Sequence, residues 1–410
     1  MSEFLPASRV SRIKSSASVA AAARVRELKA EGRRILDLTV GEPDFDTPEH
    51  IKAAAVEAIT RGETKYTSVT GTPALQQAIL QTLELRTGLR YTPAEITIGG
   101  GAKQVIFTAF MASLNAGDEV IVPSPYWVSY PDMVLANDGT PVVVPCGEDS
   151  GFKLTPEALA GAITGRTKWV ILNAPSNPTG AVYSRPELRA LADVLAGHPH
   201  VSVLADEIYD QIYFGDGRLA SLVEVAPELK DRVLAVNGVS KAYAMTGWRL
   251  GYAAGPAPLI AAINKLQSQI SSCPSSVSQA AAAAALTGSQ DFVRDSVETY
   301  RKRRDTAVAA LNAVDGLSCT TPEGAFYTYV NCAGVIGKTT PEGQAINSDQ
   351  DFTLYLLDAA STAVIQGSAY GLGPYFRISY ATSLDIIEES IAAIDKAVQA
   401  LTCSNPTEGN

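Results

Sequence analysis

Basic residues are the minority among the charges of this chain: 33 lysines and arginines stand against 43 aspartates and glutamates, a formal net charge of -10. That balance argues against a nucleic-acid surface, which needs clustered positive charge. Small anionic substrates stay open, because a few arginines inside a pocket can outweigh the net field locally. Cysteine is sparse and scattered, with Cys146, Cys273, Cys319, Cys332 and Cys403 forming no C-x-x-C pair. An odd, dispersed set reads as reduced thiols and not as a disulfide framework or a zinc site. Histidine is scarcer still. His50, His198 and His200 do not cluster with cysteines or acids, and the latter two flank Pro199 as in a surface turn. No run approaches the ~18 apolar residues of a membrane span. The N-terminal stretch lacks the apolar region of a secretory signal, so the cytoplasm is the expected compartment.

What is present is globular. Of 410 residues, 46 % are apolar and 19 % charged, enough for a large core and about two or three domains. From about residue 50 to 290, helical patterns alternate with short runs rich in Val, Ile and Leu: EITIGG, DEVIVP, TPVVVP, KWVILN, VSVLAD and RVLAVNG. Apolar on both faces, such strands suit a mostly parallel sheet between helix layers, an α/β fold. Several end in polar or Gly/Pro-rich clusters: GGGAKQ, PSPYW, NAPSNPTG, DEIYD and NGVSK. Ligands of open α/β sheets sit at the carboxyl ends of the strands, so these clusters predict one convergent site.

After about 290 the texture changes. DFVRDSVETYRKRRDTAVAALNAV reads as a long charged helix leading into an α+β layer with strands at GAFYTYV and YFRISYA. The expected division is a large unit over 46–290 and a smaller one from 1–45 with 291–410. RKRRD (301–305) reads as a solvated helix face, and the tail TCSNPTEGN as disordered.

The run NGVSKAYAMTGWRLGY (237–252) fits neither the helix nor the strand period. Lys241 is flanked there by Ser240, Ala242 and Tyr243 rather than by charges. A lysine in a partly buried, neutral setting loses proton affinity and becomes a usable amine nucleophile, suited to condensation with an aldehyde cofactor. Pyridoxal phosphate would need an arginine, hydroxyls and helix-terminal amides for its phosphate. Arg249, Ser240 and the GGGAKQ turn are of those types. It would need a carboxylate at its ring nitrogen, and Asp206 ends VSVLAD. It would need donors at its ring oxygen, and Asn177 and Tyr209 stand at neighbouring strand ends. Tyr243 and Trp248 read as packing for the lysine loop and Cys273 as a turn residue.

In their order, SKAYAMTGWRLGY, NAPSNPTG, ADEIYD, GEPDFDTPEH, KYT, GGAKQ and FRISYA resemble the class I pyridoxal-phosphate aminotransferases of fold type I, and within them the bacterial aspartate/prephenate aminotransferase subgroup. The resemblance runs from about residue 8 to 395. It implies pyridoxal 5′-phosphate as cofactor, bonded to Lys241, which would also shuttle the substrate's Cα proton. It implies Asp206 at the ring nitrogen, Asn177 and Tyr209 at the ring oxygen, and Trp127 stacked on the ring. Gly101, the amides of Ala102 and Lys103, Ser240 and Arg249 would hold the phosphate. Tyr66 would reach the phosphate of a neighbouring subunit, which makes the expected assembly a homodimer with shared sites. Arg377, with Asn177, Trp127 and the Gly41 backbone, would grip the substrate α-carboxylate. Lys103, Ser16 and Ser18 would meet a distal carboxylate; a threonine often stands where Ser18 is here. The implied reaction carries the amino group of an L-amino acid, aspartate first, to a 2-oxo acid, 2-oxoglutarate first. Glyoxylate, oxaloacetate or prephenate as acceptor, or a lyase on the same fold, are the alternatives. A ligand-sensing regulator would carry a basic DNA-binding module in front, for which MSEFLPASRV leaves no room.

Overall fold

The computed structural model describes residues 4–14 and 17–403. Its centre is a seven-stranded sheet of β1 (Ile96–Gly99), β2 (Glu119–Ser124), β3 (Thr140–Pro145), β4 (Thr167–Asn173), β5 (Ser202–Asp206), β6 (Val233–Gly238) and β7 (Gly251–Ala254). The strand order is β1-β7-β6-β5-β4-β2-β3. β2 to β6 pair in parallel, whereas β7 runs antiparallel to both its neighbours. β1, at one end of the sheet, and the interior strands β6 and β7 are buried along their whole length. β3 departs from the doubly buried expectation, its residues being exposed or half-buried. It is the edge opposite β1, and Pro141 and Pro145 mark it as such.

Helices cover both faces. Arg185–Ala196 shows how one is specified. Ser184 and Glu187 form a capping box, Pro186 occupies the first turn, and Leu188, Leu191, Ala192 and Leu195 face the core at helical spacing. The parallel strands aim their carboxyl ends the same way, so residues after 99, 124, 173, 206 and 238 meet on one side.

A second layer holds the antiparallel strands β8 (Tyr327–Asn331), β9 (Ile365–Gln366) and β10 (Tyr375–Ser379) in the order β9-β10-β8. The helices Asp349–Ala359, Leu384–Gln399 and Asp291–Asn312 pack about it. Leu36–Asp37 pairs in parallel with Thr362–Ala363, so the chain from about residue 33 joins this layer. Residues 8–14 instead lie against the helix Tyr130–Ala136: Arg12 pairs with Asp138, and the Lys14 amide donates to Asp132 Oδ1 at 3.1 Å.

Two readings of charge and chain end are corrected. RKRRD is not a solvated face, although Lys302 and Asp305 are exposed. Arg303 is 9 % exposed and forks onto Asp44 through two bonds of 2.8 Å, Arg301 donates to the Phe214 carbonyl, and Arg304 donates to the Pro322 carbonyl at 3.1 Å. A local charge pattern cannot register that another segment lies across the helix. The tail begins ordered, since Thr402–Cys403 pairs antiparallel with Lys338–Thr339. Cys146, Cys273, Cys319, Cys332 and Cys403 are all free thiols. Among the described residues no helix is long and apolar enough to cross a membrane, and no group of three or more metal-binding side chains occurs.

Candidate active site

The carboxyl ends of the parallel strands open into a cleft of about 610 Å³ roofed by the second layer. Eleven residues singled out from the sequence line it: Gly41, Ala102, Lys103, Trp127, Asn177, Asp206, Tyr209, Ser240, Lys241, Arg249 and Arg377. Gly101 lies behind the Arg249 guanidinium. Tyr66 is elsewhere, 89 % exposed on the surface. Ser16 lies outside the described residues, as does the side chain of Ser18.

Lys241 is held by an irregular loop that turns the chain from β6 back into the antiparallel β7. Ala244 and Arg249 take positive φ values of 51° and 53°, a left-handed conformation that is costly for residues with a Cβ. The Lys241 ammonium donates to the Gly41 carbonyl. Burial lowers its pKa to about 8, opposed by Glu42 and Asp206 and assisted by the nearby Arg377 and Arg249. Its face looks onto the Tyr209 and Phe326 rings.

Asp206 ends β5 and is 3 % exposed. Tyr130 donates to its Oδ2 at 2.6 Å and the Ile208 amide to its Oδ1 at 3.2 Å. Burial raises its pKa, while the phenol, the amide and Lys241 oppose the rise. A buried carboxylate whose hydrogen bonds come only from a neutral phenol and an amide is suited to a cationic partner in the cleft.

Beside it, the helix Ala102–Ser113 starts at the cleft, with Gly101 at φ 99° as its N-cap. The amides of Ala102 and Lys103 precede the first intrahelical donor, the Gln104 amide, which bonds the Gly101 carbonyl at 3.1 Å. A Cβ on Gly101 would stand 2.5 Å from Arg249 Nη2, and one on Gly251 would stand 2.2 Å from the Ala102 nitrogen. Both glycines thus let the loop arginine and the helix terminus close on the same spot. Two free amides, a guanidinium and the Ser240 hydroxyl form an anion cradle of the kind phosphate fills.

Across the cleft, Arg377 projects from β10 and is 2 % exposed. Its Nη1 donates to Asn177 Oδ1 at 2.9 Å and its Nη2 to the Thr39 carbonyl at 2.7 Å, while its Nε has no partner among the described residues. The guanidinium lies 4.3 Å from the Tyr327 ring centre, and the Tyr327 and Tyr209 hydroxyls share a hydrogen bond of 2.8 Å. An unmet donor on a buried cation is a place for a carboxylate. Lys103 stands 4.7 Å over Trp127, its pKa lowered by burial and then by Arg249.

The sequence reading missed several residues here. Tyr130 holds Asp206, Asn173 accepts from the Asn177 amide and donates to the Asp206 carbonyl, and Thr39 anchors Arg377. Arg26 and Lys29, on the helix Ala17–Ala30, add two cations to the lining. Tyr130 could have been suspected three residues after Trp127. Thr39 acts through a carbonyl and leaves no side-chain signal.

Cleft and residues together fit pyridoxal phosphate: anion cradle, buried carboxylate and depressed lysine lie in one space of adequate size. Residues 33–394 match the family described as "Aminotransferase class I and II". A protein of Rhizobium meliloti (strain 1021) named aspartate aminotransferase is 54 % identical over 399 residues, 97 % of each chain. One of Cereibacter sphaeroides named aspartate/prephenate aminotransferase is 52 % identical over 385 residues, 94 % of this chain and 96 % of that one. The crystal structure of the Rhizobium meliloti aspartate aminotransferase superposes with a TM-score of 0.95 at 53 % identity, covering 98 % of this chain and 100 % of the other. The Thermus thermophilus aspartate aminotransferase with maleate superposes at 0.89 and 38 % identity, covering 96 % and 100 %.

Proposed function

The chain belongs to the aminotransferases of class I and II, which transfer amino groups with pyridoxal 5′-phosphate, and we propose that it moves the amino group of L-aspartate to 2-oxoglutarate in two alternating half-reactions. The observation that carries the reading is the buried Arg377, its Nε unmet, opening onto the same cleft as a lysine whose pKa is near 8. An α-carboxylate reader and an amine of lowered basicity are what the chemistry needs together.

Bound pyridoxal phosphate supplies an aldehyde that condenses with amines and a protonated ring that takes up the charge left at Cα. The cradle of Ala102, Lys103, Ser240 and Arg249 would hold its phosphate, with Gly101 giving the approach. Asp206 would pair with the ring nitrogen, oriented by Tyr130. Asn177 and Tyr209 would donate to the ring oxygen, and Trp127 would cover the ring. Arg377 fixes the substrate α-carboxylate by a guanidinium fork. Lys241 Nζ would take the substrate's Cα proton as general base and hold it in the cleft for its return as general acid. With a pKa near 8, roughly a tenth of the free amine is unprotonated at pH 7. Acid–base work by a group so held contributes roughly 10²- to 10⁴-fold.

Lys103 would meet the distal carboxylate, which favours a dicarboxylic donor. Support comes from the Thermus thermophilus relative, whose structure carries maleate, a four-carbon dicarboxylate. Prephenate as acceptor is the second reading. It is favoured by the name of the Cereibacter sphaeroides relative and by the additional cations Arg26 and Lys29 in the lining. Tyr66, exposed and not among the residues lining its own cleft, supports a homodimer in which it reaches the partner's phosphate. The same reading divides the chain into a large unit over 46–290 and a small one from 1–45 with 291–410. It includes residence in the cytoplasm, which the five free thiols support.

Incubation of the holoenzyme with L-aspartate alone tests the reading. It expects one oxaloacetate per site and a matching change in cofactor absorption, reversed by 2-oxoglutarate. Catalytic release of ammonia would make the protein a lyase instead. Presenting the aminated enzyme with 2-oxoglutarate and prephenate separates the two acceptors.

A further inference from the structure

β5 has a second face of functional interest. Asp206 closes the strand toward the cleft, and its neighbour Glu207 lines a separate cavity of about 340 Å³. On the same wall, Arg86 from the helix Pro73–Thr87 donates to Asp210 Oδ2 at 2.6 Å, with both side chains less than a fifth exposed. Nothing equivalent holds Glu207, whose carboxyl makes no hydrogen bond or ion pair among the described residues. Leu83, Leu172, Leu188, Leu222 and Val293 give the cavity apolar walls. Its rim carries Gly217, Arg218 and Leu219 on one side and Arg294 on the other. Arg218 shares the Glu224 carboxylate with Arg185, and Arg294 pairs with Asp291.

Glu207 is therefore the one carboxyl of the cavity wall without a partner among the described residues. We propose that the cavity is a binding site for a small organic ammonium ion with an apolar body, the ammonium on Glu207 and the hydrocarbon against the leucines. The charge count inside supports a monocation. Arg86 and Asp210 cancel, so an ionised Glu207 leaves one negative charge for the ligand to balance. A neutral hydrocarbon would leave the carboxyl unsatisfied.

The groups facing Glu207 are Arg86, Asp210, Asp206, Glu224, Tyr252 and Tyr91. Burial holds its pKa up at about 8; Asp210, Asp206 and Glu224 add to the rise and Arg86 opposes it. In the empty cavity at pH 7 the carboxyl is thus mostly a neutral acid. Binding an ammonium ion makes it a carboxylate and releases its proton to solvent; the ligand stays protonated. Since Asp206 is among the charges that raise Glu207, an ionised Glu207 raises Asp206 in turn.

The test uses holoenzyme whose cofactor has been fixed to Lys241 by borohydride, so that a primary amine cannot react there. Calorimetric titration with n-butylammonium chloride at pH 7, in two buffers of different ionisation heat, should show saturable binding in roughly the millimolar range with release of nearly one proton per ligand. Glu207→Gln, close to the neutral acid in shape, should weaken binding about tenfold or more, the loss of one charge-assisted bond. Leu219→Trp, which narrows the rim and leaves the charged cluster intact, should weaken it also, and sodium butyrate should not bind. Absence of saturable binding in the parent enzyme, or affinity unchanged in both variants, overturns the proposal.

Discussion

Arg377→Lys tests most sharply how the cleft reads its substrate. A guanidinium has five N–H donors and an ammonium three. In the structure one donor on Nη1 serves Asn177 Oδ1, one on Nη2 serves the Thr39 carbonyl, and the buried Nε is unmet. A lysine at this position keeps the charge, but the same two acceptors claim two of its three donors. It can then offer an incoming carboxylate one hydrogen bond where arginine offers a planar fork of two. A bond to a charged group is worth about 1.5–3 kcal/mol, so kcat/KM for aspartate should fall roughly 10- to 150-fold. The α-carboxylate is present in ground and transition states alike, so KM should carry most of the loss and kcat less. Rapid-mixing half-reactions with L-aspartate, followed by cofactor absorption, measure it. n-Propylamine, which has no α-carboxylate, should react equally with parent and variant. If aspartate were handled within about threefold of the parent by a folded variant, less than the smallest loss computed above, Arg377 would not be the reader.

Lys241 in cofactor-free protein should be acylated by a limiting small reagent with a half-maximal rate near pH 8, against about 10.4 for an ordinary lysine; a midpoint above about 10 would contradict the burial argument. Tyr130→Phe should destabilise the cofactor-free protein by about 1–3 kcal/mol at neutral pH, because a buried Asp206 oxygen loses its donor. Burial already raises Asp206 in the fold, so the folded state binds more protons and stability falls as pH rises from the unfolded pKa through the folded one. The variant's added cost must grow in that same direction and fade near pH ~4; urea midpoints showing equal cost at both ends would refute it. Arg303→Ala should cost about 2–3 kcal/mol, less than a fully buried pair because Asp44 is 30 % exposed and can rehydrate. Lys302→Ala on the exposed face should change stability by less than about 0.5 kcal/mol in the same urea unfolding.

The fold's centre was legible because doubly buried strands leave unbroken Val/Ile/Leu runs, and because parallel strands must end their polar clusters on one side. β7 escaped, being only Gly-Tyr-Ala-Ala; its sequence is shaped by the need for Gly251 beside the Ala102 nitrogen, not by strand propensity. β3 was legible as a strand but not as an edge, since its run of valines looks the same in either position. Within the site, the side chains named from their chemistry line the cleft, while the supports did not declare themselves. Tyr130 begins a helix, and only the tertiary fold brings its hydroxyl to Asp206. Arg303 looked solvated because its partner Asp44 is 259 residues away in the chain.

Several supports, Thr39, Gly41, Glu42 and Asp44, share a segment, and that segment explains how the cleft is kept in one geometry. Between Leu38 and Asp44 the chain gives the Leu38 carbonyl to the Ser379 amide, the Thr39 carbonyl to Arg377 and the Gly41 carbonyl to Lys241. The Glu42 carboxylate accepts from Thr246 Oγ1 at 2.7 Å, and Asp44 takes the Arg303 fork. One short extended strip is thus fastened to the second layer, the lysine loop and the long helix at once. Gly41 has no room for a larger residue without cost, since an added Cβ would stand 3.3 Å from the Tyr327 hydroxyl, itself bonded to Tyr209. Two peptide units separate the acceptor of Arg377 from the acceptor of Lys241. A carboxylate that draws on Arg377 therefore acts on the backbone that positions the lysine, so that recognition at one end of the substrate and proton transfer at the other share a single rigid support.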